Sequence, residues 1–230
     1  MLTTLFSFVF SLFLVTLCNP EEPMEVKTIN YLALGDSYTI GEGVQESERY
    51  PVQLANQMNK SGALYFFPPK IIAKTGWTVD ELDKGINESR TREEGYDLVT
   101  LLIGVNNQYR GRPVADYEKD FEAMLQRAIT FARGKNDRVI VLSIPDWGVT
   151  GFAKARNTDQ KKVEAEIDAY NAAKKAICNK YEVTFIDITE EYRLIGGEPE
   201  MMAEDRLHPS ALVYFRCTEK LIDEVKKIKF

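Results

Sequence analysis

Five short apolar runs, almost free of polar interruption, set the limits on what this chain can fold into. They are Ile29–Leu34, Ile71–Ala73, Leu98–Ile103, Val139–Ile144 and Val183–Ile188. A strand with one wet face alternates apolar and polar side chains. Several of these runs are nearly continuous, the pattern of strands covered on both faces in a parallel sheet. Helical spacing fills the intervals. Val114, Tyr117, Phe121, Met124, Ala128 and Ala132 fall on one helix face between Pro113, suited to a first turn, and Gly134, suited to a C-terminal stop. Val163, Ile167, Tyr170, Ile177 and Tyr181 do the same after the capping residue Thr158, and a last helix runs from Pro209 toward Lys226 with Leu212, Phe215, Ile222 and Val225 inward. No internal repeat, low-complexity stretch or interdomain linker interrupts the alternation. The pattern implies one doubly wound α/β domain over residues 29–230 with a five-stranded parallel sheet. In such sheets ligands bind at the carboxyl ends of the strands, so function is expected in the loops that follow the apolar runs.

Composition narrows the chemistry. Hydrophobic residues make up 44% and charged residues 28%, which excludes disorder and collagen-like repeats, and three cysteines are too few for a disulfide scaffold. The net charge of −6 and the lack of a Lys/Arg cluster argue against a nucleic-acid partner. The chain holds one histidine, His208. Any imidazole chemistry must use it, and a His-rich metal site cannot be built.

The start of the chain reads as an address. Leu5–Leu17 is an apolar run of 13 residues without a charge. A membrane span needs about 20 residues, so the run fits the core of a signal peptide. Cys18 ends it, and Asn19-Pro20-Glu21-Glu22-Pro23 opens a polar tether. The expected division is a signal peptide over 1–18, a tether over 19–28 and a soluble body beyond, exported to the periplasm or cell envelope or secreted. Two readings of Cys18 stay open: the lipid-bearing first residue of a bacterial lipoprotein, or one small residue of an ordinary cleavage site. A lipid there would be the only membrane attachment. Cys178 and Cys217 are left in the body, either as a pair or as two small buried hydrophobes.

The loops after the runs hold groups that suit acyl transfer. They are Gly35-Asp36-Ser37-Tyr38, Lys74-Thr75-Gly76-Trp77, Gly104-Val105-Asn106-Asn107 and, before the last helix, Asp205-Arg206-Leu207-His208-Pro209. Singly each has a plainer meaning: a helix cap, a turn glycine, a solvated helix terminus. Together they supply more. A serine nucleophile needs a base, and the only imidazole falls on the same sheet edge. Asp205 lies three residues before His208, close enough to fix its tautomer, while Asp36 and Asp187 read as structural acids. The Ser37 and Gly76 N–H groups and the Asn106 amide can donate to a tetrahedral oxyanion.

Over about Tyr31 to Tyr214 the chain resembles the GDSL, or SGNH, serine esterases and lipases. The block Gly35-Asp36-Ser37-Tyr38-Thr39-Ile40-Gly41-Glu42-Gly43 matches the family's nucleophile block, Gly76 its oxyanion glycine, and Asp205 to Pro209 its Asp-x-x-His-Pro block. The third block departs from Gly-x-Asn-Asp, with Asn107 in the last place, which puts a supporting contact in question while Asn106 keeps the donor. The resemblance implies a flavodoxin-like three-layer α/β/α sandwich and ester hydrolysis through an acyl-Ser37 intermediate, without a metal or organic cofactor. His208 is then the base, Asp205 its orienter, and Ser37, Gly76 and Asn106 the oxyanion hole. The partner is a small-molecule ester, an acyl or acetyl ester of a lipid or carbohydrate. Trp77, Asn107 and Trp147 are candidate substrate contacts, and Pro145–Phe152 either lines a substrate pocket or packs as a surface loop.

Other classes fit less well. Gly41-Glu42-Gly43 lacks the further glycine of a dinucleotide fingerprint, no P-loop is present, and Ser37 lacks the Gly-x-Ser-x-Gly frame of α/β-hydrolases. An exported carbohydrate- or peptidoglycan-binding protein without catalysis is the better alternative, yet such a binder has no need of Ser37, Asp205 and His208 together.

Overall fold

A computed structural model of the chain describes residues 26–62, 64–91 and 95–230. The signal peptide, Cys18 and most of the tether expected from the sequence lie outside the described residues. In chain order the strands are β1 (Lys27–Ile29), β2 (Tyr31–Gly35), β3 (Leu64–Phe66), β4 (Lys70–Ala73), β5 (Leu98–Leu102), β6 (Val139–Leu142) and β7 (Thr184–Ile186). The central sheet has five strands, all parallel, in the order β4-β2-β5-β6-β7. That is the flavodoxin-like order, and its direction of travel reverses at β2, between β4 and β5. The α/β/α expectation therefore holds, and the reversal point predicts where a ligand crevice forms.

The helices are α1 (Ser37–Ile40), α2 (Tyr50–Lys60), α3 (Val79–Glu88), α4 (Val105–Tyr109), α5 (Val114–Phe131), α6 (Gly151–Ala155), α7 (Gln160–Lys180), α8 (Thr189–Ile195) and α9 (Ala211–Val225). α2 packs with α9 to form one outer layer; α3, α5 and α7 pack in succession to form the other. Between them β2, β5 and β6 are buried at every position, which explains their unbroken apolar sequences. Thr100, the polar residue inside β5, is hydrogen-bonded to the Tyr31 hydroxyl at 2.8 Å and the Tyr50 hydroxyl at 3.2 Å, so its burial leaves no unmet group. α5 begins after Pro113, and the Gly134 N–H closes its end on the Ile129 carbonyl at 2.9 Å.

Three expectations need correction. The run Ile29–Leu34 is not one strand: Asn30 divides it, because its N–H is taken by the Asp97 carboxylate at 3.0 Å, and β1 turns away to pair with β3. Lys27 and Thr28, expected in the tether, thus belong to the folded body. The cap of α7 is Asp159, whose carboxylate accepts from the Lys162 N–H at 3.1 Å, rather than Thr158. Of the two readings left open for the body cysteines, the unpaired one holds: both are free, Cys178 on α7 and Cys217 on α9, in layers on opposite sides of the sheet.

Register brings the candidate loops to one edge. Gly35 is level with Ala73 of β4 and with Leu102 of β5, so the segments after these strands emerge side by side. Gly35 admits no side chain, since a Cβ would collide with Thr39 Oγ1 and the Leu102 carbonyl. The absence of that atom lets α1 fold straight back over the strand end and sets Ser37 at the reversal point.

Candidate active site

Ser37 is the first residue of α1, and Asp36 caps it by accepting from the Tyr38 N–H at 3.0 Å. The Ser37 N–H, in the first helical turn, has no intrahelical acceptor. Ser37, Gly76, Asn106, Tyr109, Trp147 and His208 all line one cleft of about 190 Å³. Its walls are mainly apolar, so charge developing inside it is poorly screened by water.

His208 reaches this cleft from the turn before α9. Asp205 Oδ1 accepts from the Leu207 N–H at 2.9 Å and the His208 N–H at 3.0 Å, a local turn that brings the carboxylate back onto the ring. Asp205 Oδ2 then lies 2.5 Å from His208 Nδ1. With Nδ1–H committed to the carboxylate, Nε2 is the basic nitrogen of the neutral ring. Partial burial works against the Asp205 charge, but the hydrogen bonds from the His208 ring and from the two N–H groups outweigh it and hold the pKa below the ordinary value.

Gly76 sits in a tight turn at φ +86°, a backbone conformation that excludes most side chains. Residues of α4 and its cap brace that turn. Asn106 Nδ2 donates to the Trp77 carbonyl at 2.9 Å, Arg110 Nη2 to the Gly76 carbonyl at 2.7 Å, and Asn107 Oδ1 accepts from the Val79 N–H at 3.1 Å. Glu42 adds a contact from the α1 side, accepting from the Thr75 hydroxyl. The Asn106 amide has two N–H donors, so one remains for a ligand after the Trp77 contact. The turn and α4 thus form one braced unit facing Ser37.

Asp36 lies just behind the serine, fully buried. Burial pushes its pKa up to about 7, against the opposing pull of the Tyr38 N–H and of Lys174. Lys174, buried on α7, donates to the Leu142 carbonyl at 3.0 Å and stands 5.5 Å from the Phe121 ring centre. Burial pushes its pKa down to about 7, while Cys178 and Asp36 act in the other direction.

The structure brings Ser37, His208, Gly76, Asn106 and Trp147 together in the cleft, with Asp205 bound to His208. Two sequence expectations need correction. Trp77 packs its ring over Gly85 of α3, and Asn107 is completely buried beneath the α3 N-terminus, so neither lines the cleft. Trp147 does line it, and its Nε1–H donates to Gln108 at 2.8 Å while Gln108 donates to Glu166 at 2.7 Å. The Pro145–Phe152 segment is therefore a cleft wall, anchored where Arg193 Nε meets Asp146 at 2.9 Å. Sequence reasoning missed Arg110, Glu42 and Gln108. Arg110 stands four residues after Asn106, the spacing of one helix face, which becomes a signal only once α4 is known.

Residues 33–214 match the model of the GDSL-like lipase/acylhydrolase family. The chain belongs to that family. It is a carboxylic ester hydrolase. Among similar proteins, the spore germination lipase LipC of Bacillus licheniformis is 25% identical over 215 residues, covering 84% of this chain and 95% of that one. Among solved structures, TesA superposes with a TM-score of 0.68 at 20% identity, covering 87% of this chain and 99% of that one. The acetylxylan esterase Axe2 of Geobacillus stearothermophilus gives 0.67 at 17% identity, with 88% and 96% covered. At these identities the structural matches bear on the fold. In this GDSL hydrolase the fold places the Ser37 block, the Gly76 turn and the His208 turn on the same edge of the sheet.

Proposed function

We propose that this GDSL hydrolase is an exported serine esterase that works through an acyl-Ser37 intermediate. One observation carries the reading: Ser37 shares a single cleft with His208, itself bound to Asp205, and with the donors of Gly76 and Asn106. Ser37 Oγ attacks the acyl carbonyl carbon as His208 Nε2 takes its proton. The ester C–O bond breaks as His208 returns that proton to the leaving alcohol. Water, deprotonated by His208, then attacks the acyl carbon; the acyl–Oγ bond breaks as His208 returns the proton to Ser37 Oγ, and the acid leaves. Asp205 supports the imidazolium, and the Ser37 and Gly76 N–H groups with the Asn106 amide stabilise the oxyanion. Val105, Tyr109, Trp147 and Phe152 offer the acyl group an apolar wall. The names of similar proteins, a lipase and an acetylxylan esterase, fit an acyl or acetyl ester of a lipid or carbohydrate.

Export rests on the apolar run Leu5–Leu17 ending at Cys18. Among the described residues no helix is long and apolar enough to cross a membrane. The proposed division is a signal peptide over 1–18 and a hydrolase domain from Lys27 onward.

The test is covalent labelling. A serine-directed fluorophosphonate should modify the peptide carrying Ser37 and abolish hydrolysis of a chromogenic ester, and His208→Ala should slow the labelling. Labelling of another serine with loss of activity would assign the nucleophile elsewhere. N-terminal mapping of the natively processed protein should find a start near Asn19 or a lipid-modified Cys18; an intact Met1 would refute export by either route.

A further inference from the structure

A second hollow adjoins the cleft on the side of the general base. It measures about 490 Å³ and is lined by Gly151, Lys154, Glu198, Pro199, Met202 and Arg206. Phe152 and Leu207, the sequence neighbours of Gly151 and Arg206, line the catalytic cleft, so one short wall separates the two spaces. That wall is tied together: the Phe152 N–H donates to the Arg206 carbonyl at 3.0 Å.

The hollow is built around cations. The Arg206 stem packs close against Gly151, where a Cβ would be 3.2 Å from Arg206 Cβ and Cδ. Lys154 Nζ is likewise 3.2 Å from the place of a Cβ at Gly197. A side chain at either glycine would crowd these basic side chains by a few tenths of an ångström. Arg206 holds φ +58°, which an arginine adopts at a cost, two residues before His208. Among the described residues neither Lys154 nor Arg206 has an ion-pair partner. A third exposed cation, Arg156, stacks 3.5 Å from the Phe152 ring centre, on the dividing wall. Glu198 is the one carboxylate in the lining. In a chain with a net charge of −6, a lining with two cations against one carboxylate stands apart.

Its position assigns it to one part of the substrate. A general acid must reach the oxygen it protonates, so the leaving alcohol lies on the His208 side of the scissile carbonyl. The turn that carries His208 also carries Arg206. We infer that the hollow binds an anionic group, a phosphate or a carboxylate, on the alcohol portion of the ester. The inference rests on the Ser37–His208 reading for its direction, but the binding itself can be measured without catalysis.

Two matched ester pairs test it: acetylglycerol against acetylglycerol phosphate, and acetylglucose against acetylglucuronate. At low salt kcat/KM should favour the anionic member by roughly 3- to 10-fold, the range expected of two exposed charge contacts. The preference should shrink as the screening length falls from about 30 Å at 0.01 M to about 8 Å at 0.15 M salt. Arg206→Gln with Lys154→Gln should bring the ratio to about one. A preference confined to the phosphate pair identifies a phosphorylated alcohol, and one confined to the glucuronate pair identifies an acidic sugar. Equal kcat/KM within both pairs, or a double variant that keeps the preference, overturns the proposal. In calorimetry, Ser37→Ala protein should bind glycerol 3-phosphate or glucuronate more tightly than glycerol or glucose, and the double variant should lose that difference. If this binding pattern persists in a protein whose Ser37 resists the fluorophosphonate and which cleaves no chromogenic ester, the hollow stands and the Ser37 reading falls.

Discussion

Two aspartates of the same sheet edge are driven in opposite directions by their surroundings. Asp36 directly precedes Ser37, and burial pushes its pKa up to about 7. Asp205 is also desolvated, but the His208 ring and two backbone N–H groups hold its pKa below the ordinary value. Asp36 receives one backbone N–H at 3.0 Å and feels Lys174 as a more distant charge. The difference teaches that proximity to the serine does not make a carboxylate useful as an anion. Hydrogen bonds to the charged form do, because they replace the water that burial removes. Asp205 is equipped to stay ionised beside an imidazolium, whereas Asp36 is equipped to cap α1 with little dependence on charge.

The largest effects should separate the two acids. Asp205→Asn should lower kcat by on the order of 10⁴-fold near neutral pH, because His208 loses both the charge and the acceptor that fix its tautomer. Asp36→Asn should stay within about 10-fold of wild type, since asparagine caps a helix as well as aspartate does. The measurement is kcat on one chromogenic ester for both variants, with circular dichroism to confirm the fold. The reverse order, with Asp36→Asn dead and Asp205→Asn active, would exchange the roles assigned to them.

A second series applies the same distinction to the two asparagines of the third block. Asn106 faces the cleft with one amide N–H to spare, while Asn107 is buried under α3. Asn106→Ala should cut kcat by roughly 10²–10³-fold with KM nearly unchanged, the mark of a contact made in the transition state. Arg110→Ala, which frees the Gly76 carbonyl but removes no donor to the oxyanion, should cost about 10-fold or less in kcat, with partial recovery in Arg110→Lys. Asn107→Ala should appear mainly as lost stability, about 1–3 kcal/mol for a buried N–H left without its acceptor. A kcat loss at Asn107 larger than at Asn106 would place the oxyanion donor one residue later.

What was legible in the sequence was local. β2, β5 and β6 declared themselves because both faces are buried, and Asp205 and His208 because three residues of spacing suffice to join them. β1 and β3 did not, being three-residue strands, the first hidden inside an apolar run that reads as continuous until Asp97 claims Asn30. Trp77 and Asn107 were misplaced because loop position does not tell which way a side chain turns. Arg110 and Glu42 act through partners distant in sequence, at 34 and 33 residues, and nothing in their neighbourhoods marks them. Lys174 was hidden by chemistry: a lysine in a helical pattern reads as solvated surface, yet it is wholly buried.

That lysine gives the smallest expected effect on activity and the sharpest check on the Asp36 half of the comparison. Asp36 has a pKa raised from 3.8 to about 7, so the stability it contributes is present below about 4 and is lost as pH rises through 7. Lys174 has a pKa lowered from 10.5 to about 7, so its contribution is present above about 10 and is lost as pH falls through 7. Together they place a stability minimum near neutral pH. The other titratable groups coupled to them leave that window clear: burial pushes Tyr50 and Cys178 up to about 12, and Tyr38, Tyr117 and Tyr214 are raised as well. Urea midpoints measured from pH 5 to 9, with the variant subtracted from wild type at each pH, remove the background of exposed groups. Asp36→Asn should abolish the decline between pH 5 and 7. Lys174→Met should abolish the recovery above pH 7 and, by withdrawing a nearby positive charge, move the Asp36 step above 7. Activity should change little, because neither group reaches the cleft lining. An Asp36 step that stays in place in Lys174→Met would mean that the two charges do not interact, and Asp36 would then owe its position to burial and the Tyr38 N–H alone.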